Sequence, residues 1–249
     1  KPSPIATATL VSNDTICSGS SIQINLSSTT VGTTFTWTAT NGVGAAGAQN
    51  SVNPSPAINQ VLTNNSNTIA NVTYTITPTA AACVGSPINV MAFVNPVASV
   101  GPFNPIVTCP GATISPSTFV SNPVGATFTW TNTNASIGIG VSGVGQISPW
   151  TAPSNTNNNS PGTIVGTISV LPTFNNCPGT PSTFSVTVNP TPTITNASLT
   201  QAICSGANTT AVTWIPSPVG TTFAWTGAAS TPNITGFTAA GSGNLPVMA

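Results

Sequence analysis

The sequence nearly lacks charge. Its 249 residues hold one lysine, one acidic residue, no arginine and no histidine, where a usual globular domain is about a quarter charged. That removes whole classes of function. Nucleic-acid binding needs cations that neutralise phosphates and release counterions, and Lys1 is the only cation in the chain, so no nucleic-acid partner is expected. Acid–base catalysis draws on His, Asp, Glu, Lys, Tyr or Cys set against a reacting atom, and that set shrinks to Asp14, Lys1, Tyr74 and five cysteines. No enzyme, no catalytic residue and no cofactor is expected. Zinc would have to rest on cysteines alone, and calcium on one carboxylate plus carbonyls; no metal site is expected either.

Long hydrophobic runs are missing as well. Thr, Ser, Asn, Gly or Pro interrupts every apolar stretch well short of the roughly 20 residues that span a bilayer, so membrane insertion is not expected. No secretory signal heads the sequence, and an exported parent would carry its signal outside these residues. Disorder pairs low hydrophobicity with high net charge; this chain has a mean hydropathy of +0.28 and no net charge, and is expected to fold.

What the sequence has is a repeat. Gly32-Thr33-Thr34-Phe35-Thr36-Trp37-Thr38 returns as Gly125-Ala126-Thr127-Phe128-Thr129-Trp130-Thr131 and as Gly220-Thr221-Thr222-Phe223-Ala224-Trp225-Thr226. The cysteines keep the same beat, Cys17, Cys109 and Cys204 forming one series and Cys83 and Cys177 another. Two independent markers with one period make chance a poor explanation. Val94-Asn95-Pro96 and Val188-Asn189-Pro190 close alternating segments just before Pro-containing stretches, which sets the expected units at 1–95, 96–189 and 190–249, the third truncated before its second cysteine.

Within a unit the pattern is β. Ile22, Ile24 and Leu26 alternate with polar residues, as do Phe35 and Trp37, then Val72, Tyr74 and Ile76, then Ile88 and Val90, and period-two alternation puts one face on a core and the other in water. About seven short strands per unit fit an immunoglobulin-like sandwich. The expectation is an all-β chain of tandem immunoglobulin-like sandwiches.

The candidate site residues follow from the repeat. Cys17 with Cys83, and Cys109 with Cys177, enclose loops of similar length in consecutive units, and without a C-x-x-C pair or a histidine they predict structural disulfides inside each unit, hence an oxidising compartment. Cys204 is then unpaired. Phe35, Trp37, Phe128, Trp130, Phe223 and Trp225 are predicted core residues, since they sit in register on an alternating strand. Trp150 and Trp214 fall outside the motif and are the better candidates for stacking on a glycan.

Thr15-Ile16-Cys17-Ser18-Gly19, the Gly-Thr-Thr-Phe-Thr-Trp strand, Val72-Thr73-Tyr74-Thr75-Ile76-Thr77-Pro78-Thr79, Cys83-Val84-Gly85-Ser86-Pro87 and Val94-Asn95-Pro96 together resemble the PKD-like, immunoglobulin-like repeats of Bacteroidetes cell-surface proteins. The resemblance implies a long, repetitive, exported protein of the type IX secretion class, an extracellular cell-surface or gliding-motility adhesin. It implies a structural spacer or stalk whose partners are neighbouring repeats, other copies in a fibre, or a glycan or host-surface ligand. The alternatives are a glycan- or protein-binding module and a self-assembling filament subunit. Ile168 stands where unit one has Tyr74, which puts a tyrosine-corner hydrogen bond in question for unit two. Asp14-Thr15-Ile16 resembles that phylum's O-glycosylation signal, with Thr15 as the acceptor.

Overall fold

The structure is a computed structural model, and it describes residues 4–10, 15–155, 162–196 and 199–248. The described residues are all-β apart from one short 3-10 turn at Ala135–Ile137. The first unit is a two-sheet sandwich. Its strands are β1 (Ala6–Leu10), β2 (Thr15–Cys17), β3 (Ser20–Ser28), β4 (Thr34–Asn41), β5 (Ala45–Ala46), β6 (Ala57–Asn64), β7 (Ala70–Ala80), β8 (Cys83–Val84) and β9 (Ile88–Asn95). One sheet runs β1-β3-β6-β5 and the other β2-β9-β7-β4, with β8 folded back on β7. The pair β2 and β9 is parallel, Cys17 lying opposite Asn95.

Alternation decides which side chains meet. Ile22, Ile24 and Leu26 of β3, Ile58 and Leu62 of β6, Phe35 and Trp37 of β4, Val72, Tyr74 and Ile76 of β7 and Val94 of β9 form one core, while the intervening Thr, Ser and Asn face outward. One polar thread crosses this core. The Tyr74 hydroxyl donates to Gln60 Oε1 at 3.0 Å, Gln60 Nε2 donates to the Gln49 carbonyl at 2.8 Å, and Trp37 Nε1 donates to the same carbonyl at 3.1 Å. The partner of Tyr74 is thus a side chain of the facing sheet, because Gln60 on β6 sits opposite it across the sandwich.

The second unit repeats the central sheet and simplifies the other. Its strands are β10 (Ser99–Val100), β11 (Ile106–Thr108), β12 (Thr113–Ile114), β13 (Ser121–Asn122), β14 (Thr127–Asn132), β15 (Ser142–Val144), β16 (Trp150–Thr151), β17 (Ile164–Phe174), β18 (Cys177–Pro178) and β19 (Ser182–Val188). The order β11-β19-β17-β14, with β18 on β17 and a parallel β11–β19 pair, copies the first unit, and β15 adds a strand on β14 where the first unit has none. Ile168, Val170, Phe184, Val186 and Val188 are buried, and Phe103 packs edge-on to Phe119 with ring centroids 5.4 Å apart. Phe128 and Trp130 are half-buried against this core. Ile168 fills the place of Tyr74, so the second core needs no polar partner there.

Each complete unit is closed by a buried asparagine. Asn64 Nδ2 donates to the carbonyls of Thr68 (2.7 Å) and Val94 (2.8 Å), and Asn155 Nδ2 to those of Gly162 (3.0 Å) and Val188 (3.1 Å). The described residues of 190–248 carry short pairs, β20 (Thr193–Ile194) with β21 (Pro216–Ser217) and β22 (Ala224–Thr226) with β23 (Ala240–Ser242), and an isolated bridge between Val212 and Leu245. Phe223 and Trp225 are half-buried there, and none of the described residues 190–248 is fully buried.

Candidate functional site

The junction between the first two units is the most elaborately built polar place among the described residues. From the first unit it takes the end of β2 and β9, where Cys17 and Asn95 lie side by side. From the second it takes the tight turn between β17 and β18, whose two residues Asn175 and Asn176 have φ of 48° and 61°, the left-handed pair of a type I′ hairpin. Cys17 is bonded to Cys177, with Cα atoms 5.4 Å apart and a sequence separation of 160. Asn95, only 2% exposed, donates Nδ2 to Cys177 Sγ at 3.4 Å and accepts at Oδ1 from Asn175 Nδ2 at 3.1 Å. The linker is held too: the buried Ala98 accepts from Thr180 N at 2.7 Å, and a Cβ on Gly179 would overlap the Ala98 carbonyl oxygen.

This corrects the expected pairing. Cys17 bonds Cys177 rather than Cys83, while Cys83 and Cys109 are free thiols, as is Cys204. The reason is the length of the central strand. Cys17 stands at the Ala70 end of β7, where Ala70 faces Val94, while Cys83 faces Ala80 at the other end. Ten strand residues separate those ends by roughly 30 Å at about 3.3 Å per residue, and a disulfide needs Cα atoms within about 7 Å. Cys109 and Cys177 stand at opposite ends of β17 in the same way.

Phe35 and Trp37 are buried at 5% and 8% exposure, whereas Trp130 and Trp225 have buried Nε1 atoms with no hydrogen-bond partner. In both of the latter units a glycine lies flat against the indole; a Cβ on Gly143 or Gly241 would overlap the ring of Trp130 or Trp225. Neither candidate glycan tryptophan offers an open face with a free N–H. Trp150 Nε1 donates to the Ile137 carbonyl at 2.8 Å, and Trp214 Nε1 to that of Gly243 at 2.9 Å while the ring tilts onto Phe223. Thr15 is half-buried in β2; Asp14 and Lys1 lie outside the described residues. Among the described residues no three metal-ligating side chains converge, and no helix is long and apolar enough to cross a membrane.

The sandwich and its junction define the class: an immunoglobulin-like β-sandwich protein built of successive units. Residues 14–98 match the family profile described as a PKD-like domain, a structural or binding module of extracellular type. No curated protein matches the chain. Among solved structures it is similar to the FN1–FN3 domains of chicken CNTN1 (8% identity, 98% of this chain and 88% of that one, TM-score 0.32). It is similar also to human CDH23 EC21–23 (12% identity, 86% and 79%, TM-score 0.35), and to Dpr11 IG1 bound to DIP-gamma IG+IG2 (8% identity, 76% and 100%, TM-score 0.31). Likenesses this loose carry no argument about function.

Proposed function

We propose that the chain is a stretch of non-catalytic stalk, with units 1–95, 96–189 and 190–249 in tandem, that spaces a binding element away from the cell or packs into a fibre. The observation that carries this reading is the junction. A covalent bond, two asparagine hydrogen bonds and a gripped linker fix one sandwich on the next, where freely hinged units would need only a linker. Proline-containing linkers, which hold extended geometry, serve the same end. The finer reading is a surface or gliding-motility adhesin of the Bacteroidetes type IX secretion class, as the repeat motifs suggest. Small-angle scattering on the chain, with glycan-array binding on the same sample, tests the stalk. An extended particle that becomes more flexible on reduction and binds no glycan is expected; specific glycan binding by the chain would overturn it in favour of a recognition module.

A further inference from the structure

The staple takes the first cysteine of one unit and the second cysteine of the next, so each unit keeps one cysteine without its counterpart. We propose that Cys83 and Cys109 are the open halves of this same staple and that their occupant is another PKD-like unit. Cys83 bonds the first cysteine of a unit seated on the β7–β8 turn, and Cys109 bonds the second cysteine of a unit seated on the far end of β11 and β19. The inference rests on the tandem-stalk reading.

The receiving face is built twice. Ahead of Cys83 the turn residues Ala81 and Ala82 have φ of 47° and 65°, as Asn175 and Asn176 do ahead of Cys177. Gly85 N donates to Pro78 O at 2.8 Å, and Gly179 N to Pro172 O at 2.8 Å. A Cβ on Gly85 would overlap the Pro4 carbonyl oxygen, as one on Gly179 would overlap that of Ala98. Pro4, buried like Ala98, thus lies on the first unit where the inter-unit linker lies on the second. The hydrogen bonds that Asn175 and Thr180 give the junction are not repeated here: Ala81 takes the place of Asn175, and Ser86 that of Thr180.

The donating face is also built twice. β11 runs parallel to β19 as β2 does to β9, Asn189 N donates to Thr108 O at 2.9 Å, and Cys109 follows, exposed, beside Asn189 as Cys17 lies beside Asn95. Neither free cysteine can turn to its own unit, because β7 and β17 hold the two faces apart.

Bond formation needs an oxidant of the small-molecule disulfide class, such as glutathione disulfide. A cysteine thiolate attacks it, expelling one glutathione thiolate and leaving a mixed disulfide; the second cysteine thiolate then attacks the protein sulfur and expels the other. The two cysteine protons end on the two glutathiones, so two thiols are oxidised and one disulfide is reduced.

Two proteins test this. One extends the full chain after Ala249 with a second copy of residues 155–189, which gives the third unit a second cysteine. The other places a second copy of residues 96–189 ahead of Pro2. Each is refolded in a glutathione redox pair, digested without reduction and mapped by mass spectrometry. In the extended protein Cys109 bonds the added cysteine while Cys83 and Cys204 remain open to alkylation. In the prefixed protein the added copy of Cys109 bonds Cys83, whose alkylation falls at least tenfold against the unextended chain. A bond from Cys204 to the added cysteine, a bond within the prefixed unit, or an unprotected Cys83 would overturn the proposal. Should the extended third unit not fold, the prefixed protein decides alone, since it adds a complete unit. Failure of the stalk reading shows separately, as a compact particle in scattering with the staples formed; failure of the staple shows as free thiols in an extended one.

Discussion

Asn64 and Asn155 each lend an amide to a carbonyl at the end of the last strand of their unit, that of Val94 or Val188, and each does so from a buried position. Asn64 also accepts at Oδ1 from Ser66 N at 2.8 Å and Ser66 Oγ at 2.7 Å, so Asn64→Ala leaves several groups of one loop without partners. A loss of about 2 kcal/mol in urea unfolding is expected, while Asn59→Ala, on the exposed side of the same strand, should cost less than about 0.5 kcal/mol. Tyr74 makes a second prediction. Burial pushes its phenol from the ordinary 10 up to about 12, so between those values the unfolded chain has released a proton that the folded chain keeps. Stability therefore holds below pH 10 and falls as the pH rises toward 12, by on the order of 2 kcal/mol. Tyr74→Phe should flatten that alkaline limb in melts of the chain, at a cost near neutrality of about 1 kcal/mol for the lost hydrogen bond.

Among the elements, the β15 and β23 strands show how closely backbone approaches an aromatic ring. Gly143→Ala and Gly241→Ala place a methyl into the indoles of Trp130 and Trp225. The first should cost at least about 2 kcal/mol through forced repacking, read as a fall in the melting midpoint with a shift of tryptophan emission. The β7–β8 turn behaves oppositely. Ala82 sits at φ 65°, which a glycine adopts without the steric cost of a Cβ, so Ala82→Gly is expected to be neutral or to stabilise by up to about 1 kcal/mol. Much of this architecture is legible in sequence: the alternation of Ile22, Ile24 and Leu26 and the recurrence of Phe-Thr-Trp announce strands and a repeat. The glycines of Val141-Ser142-Gly143-Val144-Gly145 and Ala239-Ala240-Gly241-Ser242-Gly243 recur at matching places and were a readable signal for the strand behind the tryptophan. The staple was not readable from spacing. In a periodic chain, pairing within a unit and pairing to the next unit involve the same two kinds of cysteine, and only the strands separating the two ends of the sheet distinguish them. Val-Asn-Pro reads as a boundary mark for the same reason, although Asn95 proves to be part of the junction itself.

At the scale of the whole molecule, scarcity of charge should make folding indifferent to its ionic surroundings. With no histidine and a single acidic side chain, no cluster of side chains titrates between pH 5 and pH 8, and salt has almost no charge pairs to screen. The thermal midpoint should vary by about a degree or two across that window; a shift of ten degrees in a melt series would reveal a bound ion or an acidic attachment. Cys17→Ser gives the complementary test. Each unit keeps its own core, so both should remain folded, while protease cutting of the linker around Pro96 should rise severalfold as the grip on Ala98 loosens.

A bond between residues 17 and 177 also reroutes tension. When the chain is drawn out from its two termini, the pull enters near β1, crosses at the sulfurs and leaves beyond β18, so the intervening chain, a sequence separation of 160, hangs as an unstressed loop. That loop contains most of both hydrophobic cores, although Phe184, Val186 and Val188 lie outside it. In single-molecule stretching, the oxidised chain should therefore yield less slack than the reduced chain by about 500–600 Å of contour, at 3.3–3.6 Å per residue. A reductant added during the pull would release that length, turning a stiff tether into a long, compliant one without cutting a single peptide bond.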